Sequence, residues 1–451
     1  MTRGQGVRAS VVALVALLAS GALIAATIPR IEFTDTKLAN GLRVIIAPDR
    51  SAPVFSVAVN YNVGSRDERR GRTGFAHLFE HMMFKGSLNV GAFEHPLLVF
   101  NNGGNMNGTT NKDRTLYYET LPANQLDLAL FLEADRMRSL DITRDNLDNQ
   151  RNAVQEERRL GVDNQPYGKT SEAIDELAYE NFAYEHSVIG SMQDLNAASV
   201  EDVASFFKTY YAPNNAVLAI VGDVDPKEAL AKVRQYFESI PSQSPPPVVD
   251  LAEPPQTAER RLVLDDPLAR LPRVDIAYKV PPSLTRDDDA MTVLSTILAG
   301  GRSSRLYETV VRQRQLSPGV NAFKGESRGP GLWRIMATLS PGQDMTALEA
   351  AIDTELERIK TGNIADWEME KARSTARRNL VSSLQRSLQR AILLSQYALF
   401  YDDPGLINTR ADRIAAVTAD DVQRVARQYL TRQNRTLVVT NPKPAAGRGG
   451  E

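Results

Sequence analysis

A run of prolines near the middle of the chain constrains this sequence more than any other feature. S-Q-S-P-P-P-V-V-D-L-A-E-P-P, Ser242 to Pro255, cannot form a regular helix, because proline lacks the donor N–H and its ring clashes with the preceding turn. It acts as a stiff spacer. On either side lie stretches of similar length that end alike. V-E-D-V-A-S-F-F-K-T-Y-Y-A-P-N-N-A-V-L-A-I-V, Val200 to Val221, matches A-D-D-V-Q-R-V-A-R-Q-Y-L-T-R-Q-N-R-T-L-V-V-T, Ala419 to Thr440, without a gap. An offset of 219 residues sets Asp202 on Asp421, Val203 on Val422, Tyr210 on Tyr429, Asn215 on Asn434 and Leu218 on Leu437. Each stretch reads as helix, short loop and strand. With 451 residues, the chain suits two domains of about 200 residues each. The expected fold class is α+β: two homologous domains, each a mixed or antiparallel sheet packed with helices. They are expected over residues 31–241 and 257–445, with the linker at 242–256.

Asn40 to Ile46 reads as a turn leading into a strand, and Val54 to Tyr61, which alternates and is β-branched, as another strand. Helical patterns follow at about Thr73 to Phe84, Pro122 to Ser139, Arg144 to Arg159 and Val200 to Tyr211, with a buried strand at Ala216 to Val221. Pro122 suits a first helical turn. A net charge of −2 argues against a nucleic-acid partner, since a phosphate-gripping surface carries a clustered basic excess. The mixed run R-D-E-R-R-G-R around Arg69 and Arg70 reads as a solvated loop. Arg3 and Arg8 precede an uncharged apolar run, Val11 to Ala26, that ends in small residues. This is the pattern of a secretory signal over 1–26, cut after Ala22 or Ala26. An uncleaved anchor over Ala9 to Pro29 is the alternative. Either places the body beyond a membrane, in the periplasm of a bacterial cell. There is no cysteine, so any zinc would rest on His and carboxylate ligands.

The four histidines are His77, His81, His95 and His186. The first two fall in H-L-F-E-H. On a helix, positions i and i+4 share one face, so both imidazoles can reach one zinc ion. Glu80, three residues after His77, lies on nearly the same face and is placed to deprotonate a catalytic water. Thr73 is placed to cap this helix. A catalytic zinc needs a third protein ligand and an open position. N-Q-R-N-A-V-Q-E-E-R-R, Asn149 to Arg159, offers Glu156 and Glu157, which point about 100° apart on a helix. Spacing alone leaves both open. His95, beside Pro96, reads as a loop residue, and His186 as a packing or hydrogen-bonding residue.

Four segments together resemble the pitrilysin/insulinase family of metallopeptidases, whose H-x-x-E-H order marks inverzincins. G-F-A-H-L-F-E-H-M-M-F-K-G-S, Gly74 to Ser87, is similar to the family's active-site helix. G-G-N-M-N-G-T-T-N-K-D-R-T-L-Y-Y, Gly103 to Tyr118, is similar to its substrate-edge strand. R-N-A-V-Q-E-E-R-R resembles the helix of its distal ligand, and L-A-G-G-R-S-S-R-L-Y, Leu298 to Tyr307, its second-domain signature. The resemblance runs from about residue 33 to 445. It implies one zinc per chain held by His77, His81 and Glu157, the last 76 residues beyond His81. It implies Glu80 as the catalytic residue and Asn107 as a substrate contact beside a strand that binds extended peptide. The implied activity is that of a zinc endopeptidase. A non-catalytic peptide-binding or scaffold subunit of the same fold is the alternative.

Two positions depart from the family pattern. Gln150 stands where relatives often carry an acid seven residues before the distal ligand. In V-V-R-Q-R-Q-L-S-P-G-V, Val310 to Val320, Pro318 stands where active single-chain relatives carry a Tyr. Arg312 fits the companion Arg position only with a shift. The resemblance therefore implies a dimer with a homologous subunit that carries the Arg and Tyr, or a homodimer. The duplication offset carries His77 and His81 onto Thr296 and Gly300, so the second domain is expected to lack a metal site.

Overall fold

The computed structural model describes residues 30–443. The segment read as a signal lies outside them. Strands β1 (Thr34–Lys37), β2 (Arg43–Pro48), β3 (Val54–Tyr61), β4 (Asn105–Thr110), β5 (Thr115–Pro122) and β6 (Ala216–Gly222) form one sheet, in the order β1-β2-β6-β3-β5-β4. Strands β7 (Arg260–Asp266), β8 (Arg273–Val280), β9 (Val320–Lys324), β10 (Gly331–Thr338) and β11 (Arg435–Pro442) form the other, in the order β7-β11-β8-β10-β9. Apart from β1 the two orders are the same. Each has a single parallel pair, β2 with β6 and β7 with β11, and antiparallel pairs elsewhere. Three helical segments, the first a short turn at Ser65–Asp67, stand between β3 and β4, and two between β8 and β9. This is the α+β duplication that the matched endings pointed to. The duplicated ends also share their bonds. Ser199 and Thr418 each cap a helix through a reciprocal box with Asp202 and Asp421. Asn215 Nδ2 donates to Tyr210 O (2.8 Å) and Asn62 O (3.3 Å), and Asn434 Nδ2 to Tyr429 O (2.7 Å) and Lys279 O (2.8 Å).

Alternation along the strands builds a core on each face of each sheet. Val57, Val59 and Tyr61 of β3 face the first half's helices, and Val274, Ile276 and Tyr278 of β8 face the second half's. The opposite faces are closed by exchange. The helix Ser387–Tyr401 comes from the second half yet packs on β3 and β6, with Ser387 Oγ 2.9 Å from Ser56 Oγ. The helix Gly168–Ala178 comes from the first half yet packs on β7, β8 and β11, its Ile174 and Ala178 meeting Ala277 and Val438. The proline-rich segment carries no regular structure over 241–257 and is strapped down. Asn181 Nδ2 donates to Asp250 O and Ala252 O, and Lys279 Nζ donates to Glu253 at 2.6 Å.

Several local expectations change. Pro122 closes β5 with ψ 146°, because β5 keeps its pairing with β3 to Pro122; a 3-10 turn, Ala123–Gln125, follows it directly and leads into the α-helix from Leu126. Gly74, at φ +87°, takes the N-cap place expected for Thr73, whose hydroxyl donates instead to Asp194 (2.6 Å). A side chain at position 74 would put its Cβ 2.6 Å from Ile189 O. The R-D-E-R-R-G-R segment is solvated only in part. Arg69 and Arg70 are exposed, whereas Arg66 and Glu68 are buried against Asp113 and His186. His95 lies on the helix Glu94–Asn101 and is buried, since proline fits the first turn of a helix. Among the described residues no helix is long and apolar enough to cross a membrane.

Candidate metal centre

The H-x-x-E-H segment forms the helix Phe75–Met82, called here the motif helix. Phe75, Leu78, Phe79 and Met82 recur at helical spacing and turn into the core, where Phe79 packs on Phe206, Phe207 and Tyr211. That leaves His77, Glu80 and His81 on the face turned from the core. The distal helix, Arg144–Arg158, starts at a Thr143 cap. Its inward stripe is Leu147, Gln150 and Val154, and Glu157 continues that spacing. Glu157 therefore faces the motif helix, while Glu156 lies about 100° away and pairs with Arg159 at 3.0 Å.

His81 Nε2 lies 3.3 Å and His77 Nε2 3.7 Å from Glu157 Oε2. One donor atom from each of the three residues lies within 4.8 Å of the others. A tetrahedral zinc with bonds of about 2.0–2.1 Å spaces its ligand atoms about 3.3–3.4 Å apart. The donor set therefore fits zinc: two imidazoles, one carboxylate and an open side, with the Glu157 side chain 51% exposed. Burial, then the neighbouring His81, pushes His77 down to about 4. Its ring is neutral at neutral pH, the form that binds metal. His77 Nδ1 is buried without a hydrogen-bond partner. Gln150 is buried, and its amide donates to Asn149 Oδ1 at 2.6 Å.

Glu80 is raised to about 7, chiefly by burial and also by Glu157, against the opposing Thr110 hydrogen bond and Arg114. Thr110 Oγ1 donates to Glu80 Oε2 at 2.5 Å. Thr110 belongs to β4, the edge strand, and Gly108 of the same strand lies against Glu80. A Cβ at Gly108 would fall 2.8 Å from Glu80 Cγ. Gly108 and Thr110 were not singled out by the sequence reading. A glycine inside a strand pattern is the signal that finds the first. Asn107 is exposed on β4, its Oδ1 accepting from Gly108 N–H (2.9 Å). Thus Glu80 and Gly108 meet, with Asn107 next along the strand.

A second His/Glu group lies beneath the helix Glu94–Asn101: His95, Glu119 and Glu133. All three are buried, with His95 Nε2 3.6 Å from Glu119 Oε2. Arg136 grips both oxygens of Glu133, so a guanidinium already fills the cation's place. Burial pushes Glu119 up to about 8 and His95 down to about 3, and the pair is neutral between those values. In the second half, Thr296 lies in the helix Arg286–Ala299 and Gly300 ends it. Arg312 is exposed and pairs with Glu308 (3.2 Å).

Comparison with known proteins gives a consistent picture. A family model described as "Insulinase (Peptidase family M16)" matches residues 43–191, and one described as "Peptidase M16 inactive domain" matches residues 197–376. The second description falls on the part of the chain that holds no histidine. The zinc protease PqqE of Helicobacter pylori is 31% identical over 408 residues, covering 90% of this chain and 92% of that one. The crystal structure of a protease from Helicobacter pylori matches with a TM-score of 0.87 at 30% identity, covering 91% of this chain and 100% of the other. The periplasmic protease PqqL of Escherichia coli shares the fold at 20% identity and a TM-score of 0.76, over 93% of this chain and 48% of that one.

Proposed function

The chain belongs to peptidase family M16, and from that premise we propose that it is a zinc-dependent endopeptidase acting on unfolded or extended peptides. In this reading His77, His81 and Glu157 hold one zinc ion per chain, and Glu80 is the catalytic base. The observation that carries it is the convergence of three donor atoms within 4.8 Å beside the half-buried carboxylate of Glu80. Bound zinc supplies Lewis acidity, lowering the pKa of a water and polarising the scissile carbonyl. Glu80, oriented by Thr110, takes a proton as the water adds to the carbonyl carbon and gives it to the departing amine nitrogen. The free edge of β4 aligns an extended peptide through main-chain hydrogen bonds, with Asn107 as a side-chain contact.

We read the chain as one half of a dimer, expected in the periplasm. A match to 48% of a longer protein of the same fold supports a two-unit assembly. The departures at Arg312 and Pro318 support a homologous partner that supplies the Arg and Tyr, with a second copy of this chain as the alternative. The apolar run before Ala26 supports export.

The test uses the chain from Ile31, loaded with zinc and given a library of unstructured peptides, beside Glu80→Gln. Cleavage that disappears in the variant, with zinc still bound, supports the reading. Zinc bound without cleavage, alone or with a partner subunit, favours a peptide-binding subunit. No zinc bound overturns the site.

A further inference from the structure

The segment from Asn181 to Ala198 runs between the motif helix and the distal helix and bonds to both. At the motif helix, Glu68 Oε1 accepts from Ala76 N–H (2.7 Å), and Oε2 accepts from Gly74 N–H (2.9 Å). These are first-turn donors with no partner inside the helix. His186 Nε2 lies 2.9 Å from the same carboxylate and its Nδ1 2.8 Å from Phe182 O. Both ring nitrogens face acceptors, and against the opposing effect of burial the hydrogen bond and charge of Glu68 hold the ring's pKa above its ordinary value. Asp194 accepts from Thr73 N–H (2.9 Å) and from its hydroxyl. Gly190, at φ +73°, approaches so closely that a Cβ there would sit 2.4 Å from Gly74 N.

At the distal helix the same segment is gripped again. Arg158, next to Glu157, donates to Gly190 O (2.7 Å) and holds Glu172 at 2.6 and 2.9 Å. Arg151 donates to Leu195 O (3.0 Å) and Ala198 O (2.6 Å), and Gln155 Nε2 to Asn196 Oδ1 (2.8 Å). The two anchors converge at Gly190. Its α-carbon side rests on the start of the motif helix, and its carbonyl is bound by the distal helix.

We propose that Glu68 and Arg158 are positioning residues of the metal centre, which through the segment 181–198 fix the helix of His77 and His81 against the helix of Glu157. The proposal rests on the zinc reading above. Zinc bond lengths tolerate shifts of about 0.2 Å, so a clasp that sets helix separation governs affinity. Groups that orient ligands typically change metal affinity by about 10–100-fold when lost.

The experiment measures zinc Kd by chelator competition, peptide kcat and KM, and the thermal midpoint of the zinc-free chain. It compares wild type with Glu68→Gln, Arg158→Lys, the double variant, and Arg261→Ala, a surface pair in the second half. Each single clasp variant is expected to weaken zinc by about tenfold or more and to lower kcat with KM unchanged, since β4 is untouched. The double variant is expected to lose less than the product of the singles, as both act on one segment. Arg261→Ala is expected to leave zinc Kd unchanged. If Glu68→Gln does not fold, Arg158→Lys, which keeps the charge but loses the forked grip, carries the test. Clasp variants that match wild-type zinc Kd and kcat, or that lower only the thermal midpoint, overturn the proposal. A wild type that binds no zinc overturns the zinc reading beneath it, and so is distinguished from failure of the clasp alone.

Discussion

The two halves share strand order, parallel pairing, helix caps and even the paired bonds of Asn215 and Asn434, yet among the described residues only the first half brings together His/Glu groups that could hold a metal. The scaffold bonds and the chemical residues therefore vary independently. Where the first half places His77 and His81, the offset puts Thr296 and Gly300 in the second, and Gly300 lies past the end of its helix. The second half instead supplies a helix that covers the other face of the first half's sheet.

This contrast can be broken first at the metal. His81→Ala is expected to abolish zinc binding and cleavage together, as read by metal analysis and peptide assay. Retained zinc would show that the ligands lie elsewhere. Next in size, Glu80→Gln should keep zinc while cutting kcat by about 10²–10⁴-fold. Gly108→Ala follows. Its methyl would meet Glu80 2.8 Å away, and displacement of a reacting group by about 1 Å costs on the order of 10²-fold in kcat. Zinc affinity should stay near wild type.

The likeness of the halves can be sharpened in turn. Asn215→Ala and Asn434→Ala each orphan two carbonyls. Each should cost about 1–3 kcal/mol in denaturant unfolding, with similar losses from either half. A further effect concerns pH. Burial raises Glu119 from 4.5 to about 8, so the folded chain keeps a proton that the unfolded chain has lost. Its contribution to stability is complete below about 4.5 and disappears as pH rises through about 8. His95, lowered from 6.5 to about 3, acts oppositely, costing stability as pH falls below 6.5. Glu119→Gln should flatten the alkaline arm of the stability profile. An unchanged slope would place the titration elsewhere.

Much of this was legible in the sequence because it rests on short periods. The i, i+4 histidines and the proline segment depend on local geometry, and the ungapped repeat shows when the two halves are laid on each other at an offset of 219 residues. The separation of Glu157 from Glu156 was legible only through the family resemblance, because spacing alone leaves both open. Glu68 was not. It sits in a charged run that reads as solvated, and its burial depends on His186, more than a hundred residues away. His95 was misjudged because a neighbouring proline suggested a loop, where it in fact starts a helix. The crossing of the helices Gly168–Ala178 and Ser387–Tyr401 leaves no mark in periodicity, since an apolar helix face does not say which sheet it will meet.

That crossing makes the halves mutual lodgers. Expressed alone, residues before the linker would present a sheet with one bare face and a helix with nowhere to dock. A single break in the proline segment would behave differently, because each piece still carries the other's lid, and the fragments are expected to remain associated. Fusion of two copies of an ancestral protein that exchanged one helix with its twin would produce this arrangement. In that lineage a joined chain would have come after the handshake.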